Sequence, residues 1–309
     1  MTRVTAIDCG TNTLRLLIAD ADEHATPQVA TVVREMRTVR LGEGLETTGE
    51  FSAAALARTE EALAEYAVMI QNAGVQAIRM VATSASRDVG NRDRLIEMAQ
   101  RLVGVTPEVI SGAEEGRLTF RGVRSGLSLS GPSIVVDIGG GSTELIVGDG
   151  DDVRAEVSMR IGVVRLTERY VRTDPPAAAE LALVADATRE SLSAALAELG
   201  QVEGYPLIGV AGTATTAAAI ALGLASYDPR LIHGSRTAYA DIERVRDWSY
   251  ANDTAGRLRN RAMHPGRAAV FPAGMAILDV VMRELHATEL IVSESDILDG
   301  IALSIASAD

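Results

Sequence analysis

The sequence predicts an α/β protein of two lobes, each a mixed sheet flanked by helices, and three observations carry that expectation. The chain has 309 residues, enough for one large domain and more naturally divided into two of about 150. Short apolar runs of strand character alternate with longer stretches of helical period. One pattern also occurs twice, 129 residues apart: AIDCGTNTLRLLIAD from Ala6 and VVDIGGGSTELIVGD from Val135. Each copy reads strand, Asp, tight turn of small residues, strand, so each lobe should carry a hairpin of the same design.

In chain order, Val4 to Ile7 is a short apolar run, Leu14 to Ala19 a second, and Val32 to Leu41 alternates as a third strand. Ser52 has the character of an N-cap for an amphipathic helix from Ala53 to Asn72, which Gly74 ends. Ala77 to Thr83 reads as a buried strand, followed by a polar loop through Arg87 and a helix from Asn91 to about Leu102. Ser111-Gly112 opens another helix, Ala113 to Arg124, and the Gly/Ser/Pro-rich stretch 125–133 is the linker candidate. After it the hairpin pattern returns, with its turn at Asp137 to Thr143. A third turn, Gly209 to Thr215, follows a short strand and precedes a helix. Arg267 to Leu285 and Asp296 to Ala306 are the clearest helices of the last third.

Composition excludes several functions. Twenty-nine cations against 42 carboxylates give a net charge of −13, so the surface as a whole repels nucleic acid and anionic membranes. A polyanionic ligand needs a local basic site. All the cations are arginine; without lysine there is neither a P-loop nor Schiff-base chemistry. The single cysteine, Cys9, excludes an intramolecular disulfide and paired-cysteine zinc sites. It reads as a small buried residue, because a thiolate there would adjoin Asp8. His24, His233, His264 and His286 show no metal-ligand spacing. The N-terminus lacks a signal-peptide pattern, and the uncharged stretch Gly204 to Tyr227 is too rich in Gly, Thr and Pro for a membrane span. The expectation is a soluble protein of a reducing compartment, the cytoplasm.

A strand that ends in Asp and turns tightly through glycine exposes several backbone N–H groups toward one point, a nest that suits phosphate oxygens. Gly10, Thr11, Asn12, Gly139, Gly140, Gly141, Ser142, Gly212 and Thr213 are therefore candidate phosphate ligands. A carboxylate beside a bound phosphate is repelled unless a cation lies between them. Asp8 and Asp137 are thus candidate ligands of Mg²⁺, which takes oxygen and usually keeps waters. One such turn is equally an ordinary hairpin; the matched copies and the third Gly-Thr turn favour binding.

The three turns resemble the two phosphate motifs and the adenosine motif of the actin-like, sugar-kinase and heat-shock ATPase fold. More narrowly, AIDCGTNTLRLLI, ATSASRDVGNRD, ISGAEEGRLTFRGV, VVDIGGGSTELIVG and GVAGTATT, in this order, are similar to the exopolyphosphatase/guanosine pentaphosphate phosphatase family, from residue 4 to about residue 300. The resemblance implies two ribonuclease-H-like lobes with a cleft between them. The first would be residues 1–125 with the returning segment from about 296 to 309, the second residues 126–295. It implies Mg²⁺ or Mn²⁺, with room for a monovalent activator, and a homodimer acting on inorganic polyphosphate or on pppGpp.

The resemblance also assigns residues. Of the pair Glu114-Glu115, set about 100° apart on a helix, it puts Glu115 in the position of the base that activates the attacking water. On residue chemistry alone the pair is equally a helix start favoured by the dipole. Arg87 matches a phosphate ligand, and Arg15 matches a basic position that is otherwise a surface ion pair. Glu144 matches a second metal-associated carboxylate. Thr215 departs from the lysine that many relatives carry after the third turn, which leaves phosphate contact there to N–H groups and hydroxyls. The stripe Arg117, Arg121 and Arg124 and the group Arg257, Arg259, Arg261 and Arg267 read first as solvated or paired arginines, and otherwise as a polyanion track. A kinase of the same fold and a non-catalytic polyphosphate- or nucleotide-binding module are the competing functions; the first needs an acceptor pocket and the second has no use for Glu115.

Overall fold

The structure, a computed structural model, describes residues 1–87 and 89–307. Residues 308 and 309 of the segment expected to return to the first lobe lie outside the described residues. The chain divides into two compact units, Met1–Ser128 with the chain from Ser295 onward, and Leu129–Glu294.

The first unit is built on β1 (Thr2–Cys9), β2 (Thr13–Ala21), β3 (Val29–Thr38), β4 (Ala77–Ala82) and β5 (Glu108–Val109), in the order β3-β2-β1-β4-β5. The first three strands form an antiparallel meander, and β4 and β5 continue parallel to β1. Side chains alternate across β1. Ile7 and Cys9 join one core with Leu14, Leu16, Met80 and the helix Ala53–Ala73, while Val4 and Ala6 join another with Leu17, Ala19 and Val81. The second face is covered by the helix Ile297–Ala306 through Ile297, Leu298 and Ile301. Asp8 shares the parity of Val4 and Ala6 and therefore belongs to that face. Ser52 caps the helix Ala53–Ala73 by accepting from the N–H of Ala55 at 3.1 Å, and Gly74 ends it at φ 64°.

The second unit carries β6 (Pro132–Ile138), β7 (Thr143–Asp149), β8 (Asp152–Met159), β9 (Leu207–Val210), β10 (Arg236–Ala238) and β11 (Glu289–Val292). Their order is β10-β11-β9-β6-β7-β8. Read from β8 inward, two antiparallel pairings and two parallel ones repeat the plan of the first sheet, with β10 added at the edge. The repeat visible in fifteen residues is thus a repeat of whole ribonuclease-H-like sheets, the α/β class that the sequence predicts.

Three local expectations are corrected. β1 continues to Cys9, so Asp8 is a strand residue. Arg87 ends a helical turn, Ser84–Arg87, and is not in a loop. The third turn contracts to the junction of β9 with the helix Ala211–Ala221, because Ala211 alone takes φ 60° and Gly212 to Thr215 are already helical. The helices Val163–Tyr170, Ala178–Leu199 and Tyr239–Ala251 carry no motif that announces them in the sequence. Among the described residues, no helix is long and apolar enough to cross a membrane.

The helix Ile297–Ala306 crosses the helix Gly112–Gly126 at two glycines. A Cβ on Gly122 would overlap the carbonyl oxygen of Asp296, and one on Gly300 would overlap that of Leu118. The obstacle is backbone in both cases, so neither side can yield by a rotamer change. Gly122→Ala and Gly300→Ala are each expected to cost roughly 1–3 kcal/mol or more, read as a lowered urea midpoint. Unchanged midpoints in both would show that the helices separate without penalty.

Candidate functional site

The two hairpin turns are closed by equivalent bonds, Gly10 N–H to the Thr13 carbonyl at 3.0 Å and Gly139 N–H to the Ser142 carbonyl at 3.0 Å. Backbone packed behind each turn consumes its carbonyls. The Thr11 carbonyl accepts from Gly42 N–H at 2.8 Å, and that of Asn12 accepts from Val39 and Arg40 at 3.0 and 2.9 Å. In the second unit the Gly139 and Gly140 carbonyls accept from Val163 and Val164, both at 2.9 Å, and that of Gly141 accepts from Arg165 Nε at 2.8 Å. The N–H groups of Thr11, Asn12, Gly140 and Gly141 have no hydrogen-bond partner among the described residues. Each turn therefore has its acceptors satisfied from behind and its donors open, the arrangement that binds an anion.

Two glycines that sequence reasoning missed make this packing feasible. A Cβ on Gly42 would overlap the Thr11 side chain, and one on Gly162 would lie 2.5–2.6 Å from the backbone of Gly140 and Gly141. Their requirement arises from contacts about thirty and twenty residues away in sequence, and no local signal announces it.

Once a turn is placed, the register of its hairpin is fixed. Asp8 faces Arg15 directly across β1 and β2, and Asp137 faces Glu144 across β6 and β7. The Arg15 guanidinium donates to Asp8 Oδ2 at 2.8 and 2.6 Å and to Asp296 Oδ2 at 2.5 Å. Arg34 pairs with Asp296 and with Asp299, whose carboxylate accepts the Asp296 N–H at 2.9 Å. Burial opposes ionisation of Asp296, yet Arg15 and Arg34 outweigh it and hold that carboxyl below the ordinary carboxylate range. Burial pushes the Asp8 and Asp299 carboxyls upward. Arg15, a candidate phosphate ligand, is thus a half-buried bridge between β1 and the start of the helix Ile297–Ala306.

Glu115 and Arg87 come together. Ser111 caps the helix Gly112–Gly126, and within its first turn Glu115 is 8% exposed and ion-paired with Arg87. Arg87 also donates from Nε to the Ile110 carbonyl at 3.1 Å. Glu114 turns outward to Arg79 and Arg117, at 3.6 and 3.5 Å. Of the arginines read as paired or track-forming, Arg121 joins Glu23, and Arg257 is buried against three backbone carbonyls and Asp174.

Except for Arg15 and Glu144, which sit at the start of the antiparallel strands β2 and β7, the candidates lie at or just beyond the carboxyl ends of strands in the parallel part of a sheet, where α/β proteins bind ligands. β1 leads to the first turn, β4 to Arg87 and β5 to Glu115; β6 leads to the second turn and β9 to Gly212 and Thr213. Val210 is the register partner of Asp137, so Gly212 starts just beyond its level. Arg267 lies against Gly212, where a Cβ would strike its guanidinium, and donates to Thr216 Oγ1 at 3.2 Å. Thr215 is 4% exposed and lies within the helix.

Buried carboxylate oxygens of the kind that take a divalent cation are present in each unit. Asp8 Oδ1 is buried and has no hydrogen-bond partner among the described residues. Asp137 and Glu144, 7% and 2% exposed, are side by side on neighbouring strands, where like charges repel unless a cation lies near. Glu144 is steadied by Ser158 Oγ at 2.8 Å. Among the described residues no three His, Cys, Asp or Glu side chains are grouped so as to hold a metal ion by themselves.

Two sheets of this topology, each with a turn of open N–H donors at a strand end and buried carboxylates nearby, place the chain in the ribonuclease-H-like class, with donors that suit phosphate. The chain belongs to the Ppx/GppA phosphatase family, whose model matches residues 17–308. It is 44% identical to Exopolyphosphatase 2 of Mycobacterium tuberculosis, with 99% of each chain covered. It is 28% identical to a guanosine-5'-triphosphate,3'-diphosphate pyrophosphatase of Vibrio vulnificus over 98% of this chain, and spans 59% of that protein. The crystal structure of an exopolyphosphatase-like protein superposes with a TM-score of 0.94 at 35% identity, covering 99% of this chain and 98% of the other.

Cys9 takes no part in this chemistry. It is fully buried, and burial together with the neighbouring Asp8 pushes its thiol far above the usual range. The native protein is expected to resist iodoacetamide at pH 8 and to be alkylated stoichiometrically once unfolded in urea. Rapid native alkylation would place the thiol at an accessible surface.

Proposed function

We propose that the chain is an exopolyphosphatase, which hydrolyses the terminal phosphoanhydride of inorganic polyphosphate and releases orthophosphate with the help of Mg²⁺ or Mn²⁺. The observation that carries this reading is the buried Glu115 held by Arg87 at the head of the helix Gly112–Gly126. A binding module has no need of a buried carboxylate paired with a guanidinium at the head of a helix.

In this reading the open N–H groups of Thr11 and Asn12 in the first unit, and of Gly140 and Gly141 in the second, take phosphate oxygens, with Gly10, Gly139 and Ser142 shaping the turns and Gly212 and Thr213 adding a helix start. Arg87 bonds the terminal phosphoryl group while it holds Glu115 in place. Glu115 accepts a proton from the attacking water, whose oxygen bonds to the terminal phosphorus as the bond to the bridging oxygen breaks. The shortened chain leaves with its negative charge on that oxygen. Asp8 in the first unit and Asp137 and Glu144 in the second are the carboxylates that would hold metal, which would supply charge neutralisation to phosphate oxygens. The family resemblance adds a cytoplasmic homodimer, which light scattering on the purified chain tests.

Removal of the 5′ γ-phosphate of pppGpp is the second reading, favoured by the name of the 28% identical relative. Both substrates present the same terminal anhydride. Phosphate release from polyphosphate, pppGpp and ATP, measured side by side, separates the two readings.

Glu115→Gln keeps volume and removes the proton-accepting charge. It is expected to slow phosphate release by roughly 10²–10⁴-fold, the range of general-base catalysis, with polyphosphate affinity unchanged or higher. Glu114→Gln, on the outward face, should do far less. Equal losses in both would indicate a folding defect, and no loss in either would remove Glu115 from the chemistry.

Asp137→Ala is expected to abolish turnover while the circular dichroism spectrum and thermal midpoint stay near those of the wild type. Full activity across a Mg²⁺ titration would overturn its place in the metal set.

A further inference from the structure

Arg40 stands apart from the other arginines of the first unit. Its backbone lies in the left-handed region, at φ 50°, where a residue with a Cβ is disfavoured. Both its N–H and that of Val39 donate to the Asn12 carbonyl, and its own carbonyl accepts from Glu43 N–H at 3.0 Å. The strained residue is therefore tied directly to the first anion turn. Val39 and Leu41 on either side are 1% and 0% exposed, whereas Arg40 is exposed. Arg15, Arg34, Arg37 and Arg58 each pair with a carboxylate, yet Arg40 has no carboxylate partner among the described residues. In a chain with a net charge of −13, carboxylates are abundant, and an exposed guanidinium paired with none of them, on the segment whose backbone is bonded to an anion turn, is available to another partner.

The second turn is flanked in the same manner. Arg40-Leu41-Gly42 is matched by Arg160-Ile161-Gly162: the glycine backs the turn, the middle residue is buried, and the arginine two places earlier is exposed. The internal repeat thus extends beyond Asp8/Asp137 and Gly10/Gly139 to a pair of arginines that no turn chemistry requires. Backbone strain maintained at such a residue points to function.

We propose that Arg40 is a substrate-binding residue, which grips an internal phosphate of the polyphosphate chain behind the terminal one. The inference rests on the polyphosphate reading above. A guanidinium forks onto phosphate oxygens, and an internal phosphate is unchanged by the reaction at the chain end. Its contact is made equally in the ground and transition states, so its loss raises KM and leaves kcat in place.

Arg40→Gly removes the side chain while accepting the left-handed backbone, so the fold is expected to be as stable as the wild type or more so. The experiment compares wild type, Arg40→Gly and Arg40→Lys for phosphate release from long-chain polyphosphate, for direct binding of the same polymer, and for thermal midpoint. Arg40→Gly should raise KM and the dissociation constant about tenfold, the scale of one lost charge-assisted contact, with kcat within about twofold of wild type. Arg40→Lys should recover part of the affinity. An unchanged KM and dissociation constant in a stable Arg40→Gly protein would overturn the proposal, as would a loss confined to kcat, which would put Arg40 on the reacting group. A wild type that binds the polymer and releases no phosphate would sink the exopolyphosphatase reading alone, because the affinity difference at Arg40 would still be measured. A wild type that does not bind it would overturn both.

Discussion

The site depends on which way a few peptide groups face. A hairpin turn has both donors and acceptors, and only when its carbonyls are consumed from one side does it become selective for an anion on the other. Here the consumption is thorough. Loop 39–42 takes the carbonyls of Thr11 and Asn12, while the start of the helix Val163–Tyr170 and Arg165 take those of Gly139, Gly140 and Gly141. Gly42 and Gly162 let these backing segments approach closely enough to make the bonds. The N–H groups are then fixed before any ligand arrives, so their orientation adds no ordering cost on binding. Two units that share sheet topology also share this device.

In the first unit the same turn is joined to the end of the chain by charge. Asp8 meets Arg15 by register, and Arg15 extends to Asp296 at the start of the helix Ile297–Ala306. With Arg34 and Asp299 this makes a buried network of two guanidinium groups and three carboxyls. Such a network contributes little net stability and much specificity, because any other docking of the helix would bury these charges unpaired. The glycine crossing at Gly122 and Gly300 acts with it by bringing the helix backbones into contact. The strand that carries Asp8 is positioned by a segment almost three hundred residues later in sequence.

Legibility in the sequence tracks the range of each constraint. The two hairpins, the cap at Ser52, the stop at Gly74 and the helix after Ser111 depend on neighbours a few residues away, and the sequence expresses them openly. The pairing of Asp8 with Arg15 and of Asp137 with Glu144 is also available there: a turn closed by Gly10 and Thr13, or by Gly139 and Ser142, leaves no other register. The third turn is misleading because glycine and threonine suggest a loop, whereas Ala211 makes the reversal alone with φ 60° and the small residues serve close helix packing. Gly42, Gly162, Arg34 and Asp296 are beyond sequence reasoning, since each acquires its meaning only from a partner brought near by the fold.

The exclusive use of arginine gives these sites a property that lysine could not supply. A guanidinium carries five donors in a rigid plane, so it can satisfy one acceptor and keep donors directed at another. Arg15 joins two carboxylates in this way, and Arg34 does the same. Arg257 holds three carbonyls and Asp174 at once, which makes a buried charge tolerable. Arg87 applies the same geometry at the carboxylate proposed as base: it pairs with Glu115 and fixes its position against the Ile110 carbonyl. An ammonium in its place would be a point charge, free to move toward an arriving phosphate and leave the buried Glu115 uncompensated. In the proposed mechanism the forked cation would meet a phosphate while still holding the carboxylate, and would so couple substrate capture to the orientation of Glu115.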